Sequence, residues 1–314
     1  MELRPLGFGE IFDRAITLYI RNFIPFAGIV AVVVLPLAVL QYMIDLSSMP
    51  QFDQAIKILT HPSSAANAQP IMPSFLTDPR VAILFVVTIV VVYAIYPFAL
   101  NAVAVGVARL YRSRPVLFAA CYRASLRRWP QVIGVLLLEF VIFIVWYIAF
   151  ILVVALTVAL TVLVSQAQLV LGIFVGIIAG LVILGGLLML APLFVSLTFA
   201  MNAVVIEERP VTTALGLGFA RIFNREEFWR SILFALSSLA ILMGAGMLAG
   251  IFSYIALFFH QIALEVVVTS LFRAAIAPFS IVLMAVYYFD VRIRREGFDL
   301  EAGLERLTED TPVA

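Results

Sequence analysis

Glu139 is the sharpest candidate for chemistry in this chain, an acid inside a long apolar run. It lies about nine residues past Trp129, roughly 13 Å into a helix at 1.5 Å per residue. An ionisable side chain at that depth costs several kcal/mol and faces protein or water. Two readings are open. Glu139 is a proton or cation site, or it is a protonated acid bonded to a neighbouring helix. Asn101 and Asn202, toward the ends of two other apolar runs, are its candidate partners. His260, Glu265 and Arg273 fall together near the outer ends of two spans, where an interfacial polar belt is expected. His61 has no partner at metal-ligand spacing, and the single Cys121 rules out an intrachain disulfide or a Cys-based metal cluster. GxSxG, HExxH, P-loop and dinucleotide fingerprints are all absent. The sequence therefore predicts no catalytic residue, no metal and no cofactor.

The elements that carry these residues follow from hydropathy. The chain is 64% apolar and 12% charged, with mean hydropathy +1.13. A soluble core cannot take up that much apolar surface, and a bilayer removes the conflict. Net charge is +1, so there is no global basic field for nucleic acid. Six stretches reach the length of a span: about 24–44, 81–107, 131–164, 169–205, 231–259 and 271–289. The expected fold is all-α, an integral membrane bundle of six transmembrane helices in one domain over 1–300. An outer loop at 45–80 and a tail at 301–314 complete it. Phe52, Ile56 and Leu59 could form a short helix within that loop. The third and fourth spans exceed the bilayer and must tilt, break or project, with Ser165–Gln168 as a tight hairpin between them.

Arginines set the orientation. Those before the first span, between the second and third, between the fourth and fifth, and after the sixth account for all basic residues except Lys57, Arg80 and Arg273. Lys/Arg-rich loops are cytoplasmic, so both termini are expected there, in the cell membrane. The first 23 residues carry six charges and no apolar core, so no cleavable signal is expected.

A threefold pattern overlies the spans. Arg4-Pro5, Arg114-Pro115 and Arg209-Pro210 each precede an amphipathic segment that enters a span at an arginine and an aromatic residue. The return spans carry Pro97, Pro192 and Pro278 and leave with Asn101-Ala-Val, Asn202-Ala-Val and Asp290-Val. Three copies of interfacial helix, span out and span back explain this; so does chance recurrence of Arg-Pro. Such amphipathic helices lie at the interface, with arginines toward anionic headgroups. Arg114, Arg123, Arg127, Arg128, Arg221 and Arg225 are the candidate headgroup or partner ligands. Gly172, Gly176 and Gly180, and separately Gly246 and Gly250, recur every four residues and predict close helix packing, within the chain or in a homo-oligomer.

The two ends of the chain carry a resemblance. Leu3-Arg4-Pro5-Leu6-Gly7-Phe8-Gly9-Glu10-Ile11-Phe12-Asp13-Arg14-Ala15, with Tyr19 and Arg21-Asn22-Phe23, opens it. Tyr287-Tyr288-Phe289-Asp290-Val291-Arg292-Ile293-Arg294-Arg295-Glu296-Gly297-Phe298-Asp299-Leu300 closes it. Both resemble the glycerophosphoryl diester phosphodiesterase membrane domain-like family of bacterial polytopic proteins. The resemblance implies a membrane module without the hydrolytic domain, which needs a soluble barrel of about 250 residues. The expected function is non-catalytic: organising or regulating partners or lipids at the membrane. The alternative is a small transporter or lipid-handling permease built on Glu139.

Overall fold

The computed structural model describes residues 4–60 and 72–297. His61 and the 301–314 tail lie outside them. Among the described residues the chain is helical, with no strand. Six stretches are long and apolar enough to cross a membrane: Phe23–Ile58, Pro79–Tyr111, Trp129–Ala167, Leu169–Ile206, Arg225–Phe258 and Ile262–Glu296. In the most apolar window of the third, no residue is buried by protein, which leaves its side chains to lipid. The protein is an all-α, multi-pass membrane protein.

Helix α1 (Phe8–Arg21) starts where the Glu10 carboxylate accepts the Gly7 N–H at 2.7 Å, the N3 half of a capping box. It buries Ile11, Ala15 and Leu18 and exposes Ile16 and Ile20. Helix α2 (Phe23–Thr60) runs on past position 44. Much of the expected outer loop is therefore helix, and Phe52 and Ile56 continue α2 instead of forming a separate element. Side chains support the extension: Gln41 donates to Asp45 at 2.7 Å, and the Ser47 and Ser48 hydroxyls each bond the carbonyl one turn back. Helix α3 (Ser74–Thr77) leads to α4 (Pro79–Val90), capped by Asp78 with Pro79 at its first position. A π-helical turn at Val91–Ile95 separates α4 from α5 (Tyr96–Tyr111). Pro97, the second residue of α5, cannot donate to the turn before it, and the wider turn absorbs that break.

Helices α6 (Phe118–Arg127), α7 (Trp129–Ala167) and α8 (Leu169–Ile206) come next. Neither α7 nor α8 breaks, although each is about 57 Å long at its residue count. Gln168 alone joins them, in extended backbone. A Cβ on Gly172 would sit 2.6 Å from the Ser165 Cα, so only hydrogen fits at this turn. Helices α9 (Val211–Ile222), α10 (Arg225–Phe258) and α11 (Ile262–Glu296) complete the described residues. Asn224 caps α10 by accepting the Glu227 N–H at 3.1 Å. Among the described residues, the short helices α1, α6 and α9 each precede two long apolar stretches, and α3 and the π turn fall within the first such set.

The chain divides into two compact units. The first holds Met1–Ile11, Leu126–Ala240 and Met284–Ala314. Within it α8 packs on α7 and α9. A Cβ on Gly218 of α9 would lie 2.3 Å from the Ser196 carbonyl oxygen of α8, so that contact is made backbone to backbone. The second holds Phe12–Ser125 and Ile241–Leu283. There α2 packs on α4 and α5 around Val33, Leu37 and Ala99.

Candidate functional site

The densest polar chemistry lies in the first unit, at the arginine-rich end of α11. Tyr288, Arg292 and Glu296 are spaced i, i+4, i+8, which stacks them along one face. Arg221 of α9 reaches this face and is buried, 4% exposed. Its Nε and Nη2 donate to the two Glu296 oxygens at 2.7 and 2.9 Å, a bidentate pair. Nη2 also lies 2.8 Å from Glu207, and Nη1 donates to the Tyr288 hydroxyl at 3.0 Å. Tyr288 in turn donates to Glu207. Arg292 lies 3.0 Å from Glu296 and 3.4 Å from Glu207. Burial works against the Arg221 charge, but Tyr288, Glu296 and Glu207 outweigh it and hold its pKa above the ordinary value. Arg209 also reaches Glu207, at 3.7 Å, so three arginines meet two glutamates here.

A second cluster sits on the neighbouring face of α11. Asp290 is fully buried. Its Oδ1 accepts the Leu6 N–H at 2.6 Å, and its Oδ2 meets Arg230 at 2.7 Å and Arg294 at 3.0 Å. Arg230 and Arg294 also donate to the Leu6 carbonyl. Tyr287 donates to Glu227 at 3.0 Å, and Glu227 pairs with Arg230 at 3.4 Å. This cluster is neutral. It ties the opening and closing motifs of the sequence to each other. Beside it lies a cavity of about 750 Å³ lined by Pro5, Glu226, Glu227, Arg230, Arg294 and Arg295.

Helical periodicity places Arg221 on the polar face of α9, facing headgroups. The structure turns it inward, and the reason is the acid supply: Glu207 and Glu296 lie beneath α9 and stabilise a buried guanidinium. Arg128 pairs with Glu208. Arg114, Arg123, Arg127 and Arg225 are exposed. The parts played by Glu207, Glu227, Arg230, Asp290, Arg294 and Glu296 escape sequence reading. The i, i+4 spacing of Asp290 with Arg294 and of Arg292 with Glu296 was the available signal.

Glu139 is half-buried in α7, with no hydrogen bond or ion pair among the described residues. The amide nitrogens of Asn202 and, in the second unit, Asn101 are buried and also without a partner there. The structure thus does not join Glu139 to Asn202, and Glu139 lines none of the cavities described here.

In the second unit, His260 turns the chain from α10 to α11 with a positive φ of 56° and bonds Asp53 at 2.9 Å. Glu265 accepts from Ser253 at 2.5 Å. Arg273 makes no hydrogen bond or ion pair among the described residues. Gly172 and Gly176 lie against Ser165 and Thr161 of α7. Nothing lies within 4 Å of a Cβ built on Gly180, Gly246 or Gly250. The helix approach expected at Gly246 and Gly250 is therefore not found among the described residues, and both line a cavity of about 510 Å³. A smaller cavity of about 200 Å³, lined by Gln41, Asp45, Ser48 and Phe52 among others, shares Glu265 with it.

Comparison with protein-family models, curated proteins and solved structures finds no match to this chain.

Proposed function

We propose that the protein is a non-catalytic module of the bacterial cytoplasmic membrane whose arginine-rich, cytoplasmic side engages anionic lipid headgroups. One observation carries this reading: the arginines divide into two populations. Arg221, Arg230 and Arg292 are spent on buried or half-buried carboxylates. Arg21, Arg123, Arg127 and Arg225 are exposed and make no ion pair among the described residues. On the short helices α1 and α6 and at the start of α10, near the exposed Ile20, Phe118, Leu126 and Trp229, these guanidiniums suit an interface where apolar side chains enter lipid and cations meet phosphate. The buried clusters of the first unit serve as scaffold, because their carboxylates are already paired with arginines. The permease alternative rests on Glu139, which lines none of the three cavities described above.

The test is retention of phosphatidylglycerol against phosphatidylcholine by the purified full chain, read by native mass spectrometry. Each arginine near an anionic surface contributes about 1 kcal/mol, so the triple variant Arg123→Gln, Arg127→Gln, Arg225→Gln should weaken phosphatidylglycerol retention about a hundredfold. Equal retention of the two lipids by the unaltered protein would refute the reading.

A further inference from the structure

The 510 Å³ groove of the second unit lies between α10 and α11 and is not used by the reading above. Its volume is within the range of small-ligand sites. The α10 wall is made shallow by Gly246, Ala249 and Gly250. The α11 wall carries Glu265 and Arg273, just over two helical turns apart. Leu242, Phe272 and Ile276 supply apolar flanks.

Both charges of the groove are incompletely met. Arg273 has no hydrogen bond or ion pair among the described residues, and its electrostatic neighbours are Asp45 and Tyr96. Glu265 accepts from Ser253 on one oxygen, while the other, Oε2, is buried with no N–H or O–H donor among the described residues, and the Asp45 carboxyl lies within hydrogen-bonding reach of Glu265. Asp45 stands beside Glu265 and adds a second acid there. One end of the groove therefore calls for a cation with N–H donors, and the other for an anion that can accept from a guanidinium. A purely anionic headgroup would meet Glu265 unfavourably, and a simple cation would meet Arg273 unfavourably. A zwitterion satisfies both.

We propose that this groove binds the headgroup of a zwitterionic amino-phospholipid of the bilayer. Its phosphate lies on Arg273, its ammonium on Glu265, and its acyl chain along Leu242, Phe272 and Ile276. The glycines keep the space open for it. This inference does not depend on the arginine-rich side of the protein.

The test is competitive retention of phosphatidylethanolamine and phosphatidylglycerol of the same chain length by the full chain carrying Arg123→Gln, Arg127→Gln and Arg225→Gln, read by native mass spectrometry. The key variant is Gly250→Leu. Nothing lies within 4 Å of a Cβ built on Gly250, which lines the groove, and leucine favours helix over glycine, so the fold is kept. The expected results are a preference for phosphatidylethanolamine of about tenfold, as hydrogen bonds to charged groups give, and its abolition in Gly250→Leu. Glu265→Gln should remove the preference while leaving phosphatidylglycerol retention in place, and Arg273→Gln should weaken both lipids. Equal retention of the two lipids by this triple variant with Glu265, Arg273 and Gly250 unaltered would overturn the proposal. So would an unchanged preference in a folded Gly250→Leu, or soluble phosphoethanolamine binding as tightly as the lipid. Because the groove is read with the cytoplasmic arginines removed, its failure and the failure of the headgroup reading are distinguishable.

Discussion

Asp290 Oδ1 accepts the backbone N–H of Leu6 at 2.6 Å, across 284 positions of sequence. The same carboxylate holds Arg230 and Arg294, and both arginines return to the Leu6 carbonyl. One buried acid thus fixes both backbone groups of a residue at the start of the chain, directly or through its arginines. The entry of α1 is set from α11.

Removing that acid should be costly. Asp290→Ala leaves two guanidiniums and one backbone N–H without their shared acceptor. Breaking a buried charge pair costs about 3–5 kcal/mol, so a large fall in the thermal midpoint of the detergent-solubilised protein is expected. A midpoint within a degree of the parent would show that Asp290 anchors nothing.

Gly218 should tolerate no side chain. Even a Cβ would meet the Ser196 carbonyl oxygen at 2.3 Å and the Ala200 nitrogen at 2.9 Å, both backbone atoms that cannot rotate away. Gly218→Leu must push α9 off α8, an overpacking cost of about 1–3 kcal/mol or more. Loss of the buried Arg221–Glu296 pair should accompany it, so that Arg221→Gln adds little further destabilisation in the Gly218→Leu background. Full additivity of the two substitutions would contradict the coupling.

Cys121 should be nearly inert. Its side chain is fully buried in α6, and burial pushes the thiol pKa up, with Arg109 pulling back only in part. The thiolate is the reactive form, so alkylation at neutral pH should wait on unfolding. Rapid stoichiometric labelling of the folded protein by a maleimide would refute this.

Glu139→Gln should change little. No hydrogen bond or ion pair holds Glu139 among the described residues, and the amide keeps its shape. A stability change within about 0.5 kcal/mol is expected. A drop of several degrees in the thermal midpoint would reveal a partner for this acid.

The sequence made the long helices legible because hydropathy is additive along a span and needs no tertiary knowledge. It misplaced the end of the first because Ser47, Ser48 and Pro50 resemble loop residues. Their hydroxyls instead bond back onto the helix. Arg221 was misread for a different reason. Helical periodicity assigns a charge to the wet face unless a counter-charge waits inside, and its partner Glu296 lies 75 positions away. The glycines show the same limit. Gly172 and Gly246 stand in identical four-residue patterns, yet one meets Ser165 at 2.6 Å and the other faces a groove. Spacing says that a backbone can be approached; it cannot say what approaches.

The most direct test of the central claim, that the arginine-bearing short helices lie on the cytoplasmic side, is cysteine accessibility in whole cells. In a Cys121→Ser background, Arg123→Cys and Asp53→Cys each give one exposed thiol. A membrane-impermeant maleimide should label the Asp53→Cys protein in intact cells and the Arg123→Cys protein only after permeabilisation. Labelling of the Arg123→Cys protein from outside would invert the topology and with it the headgroup reading.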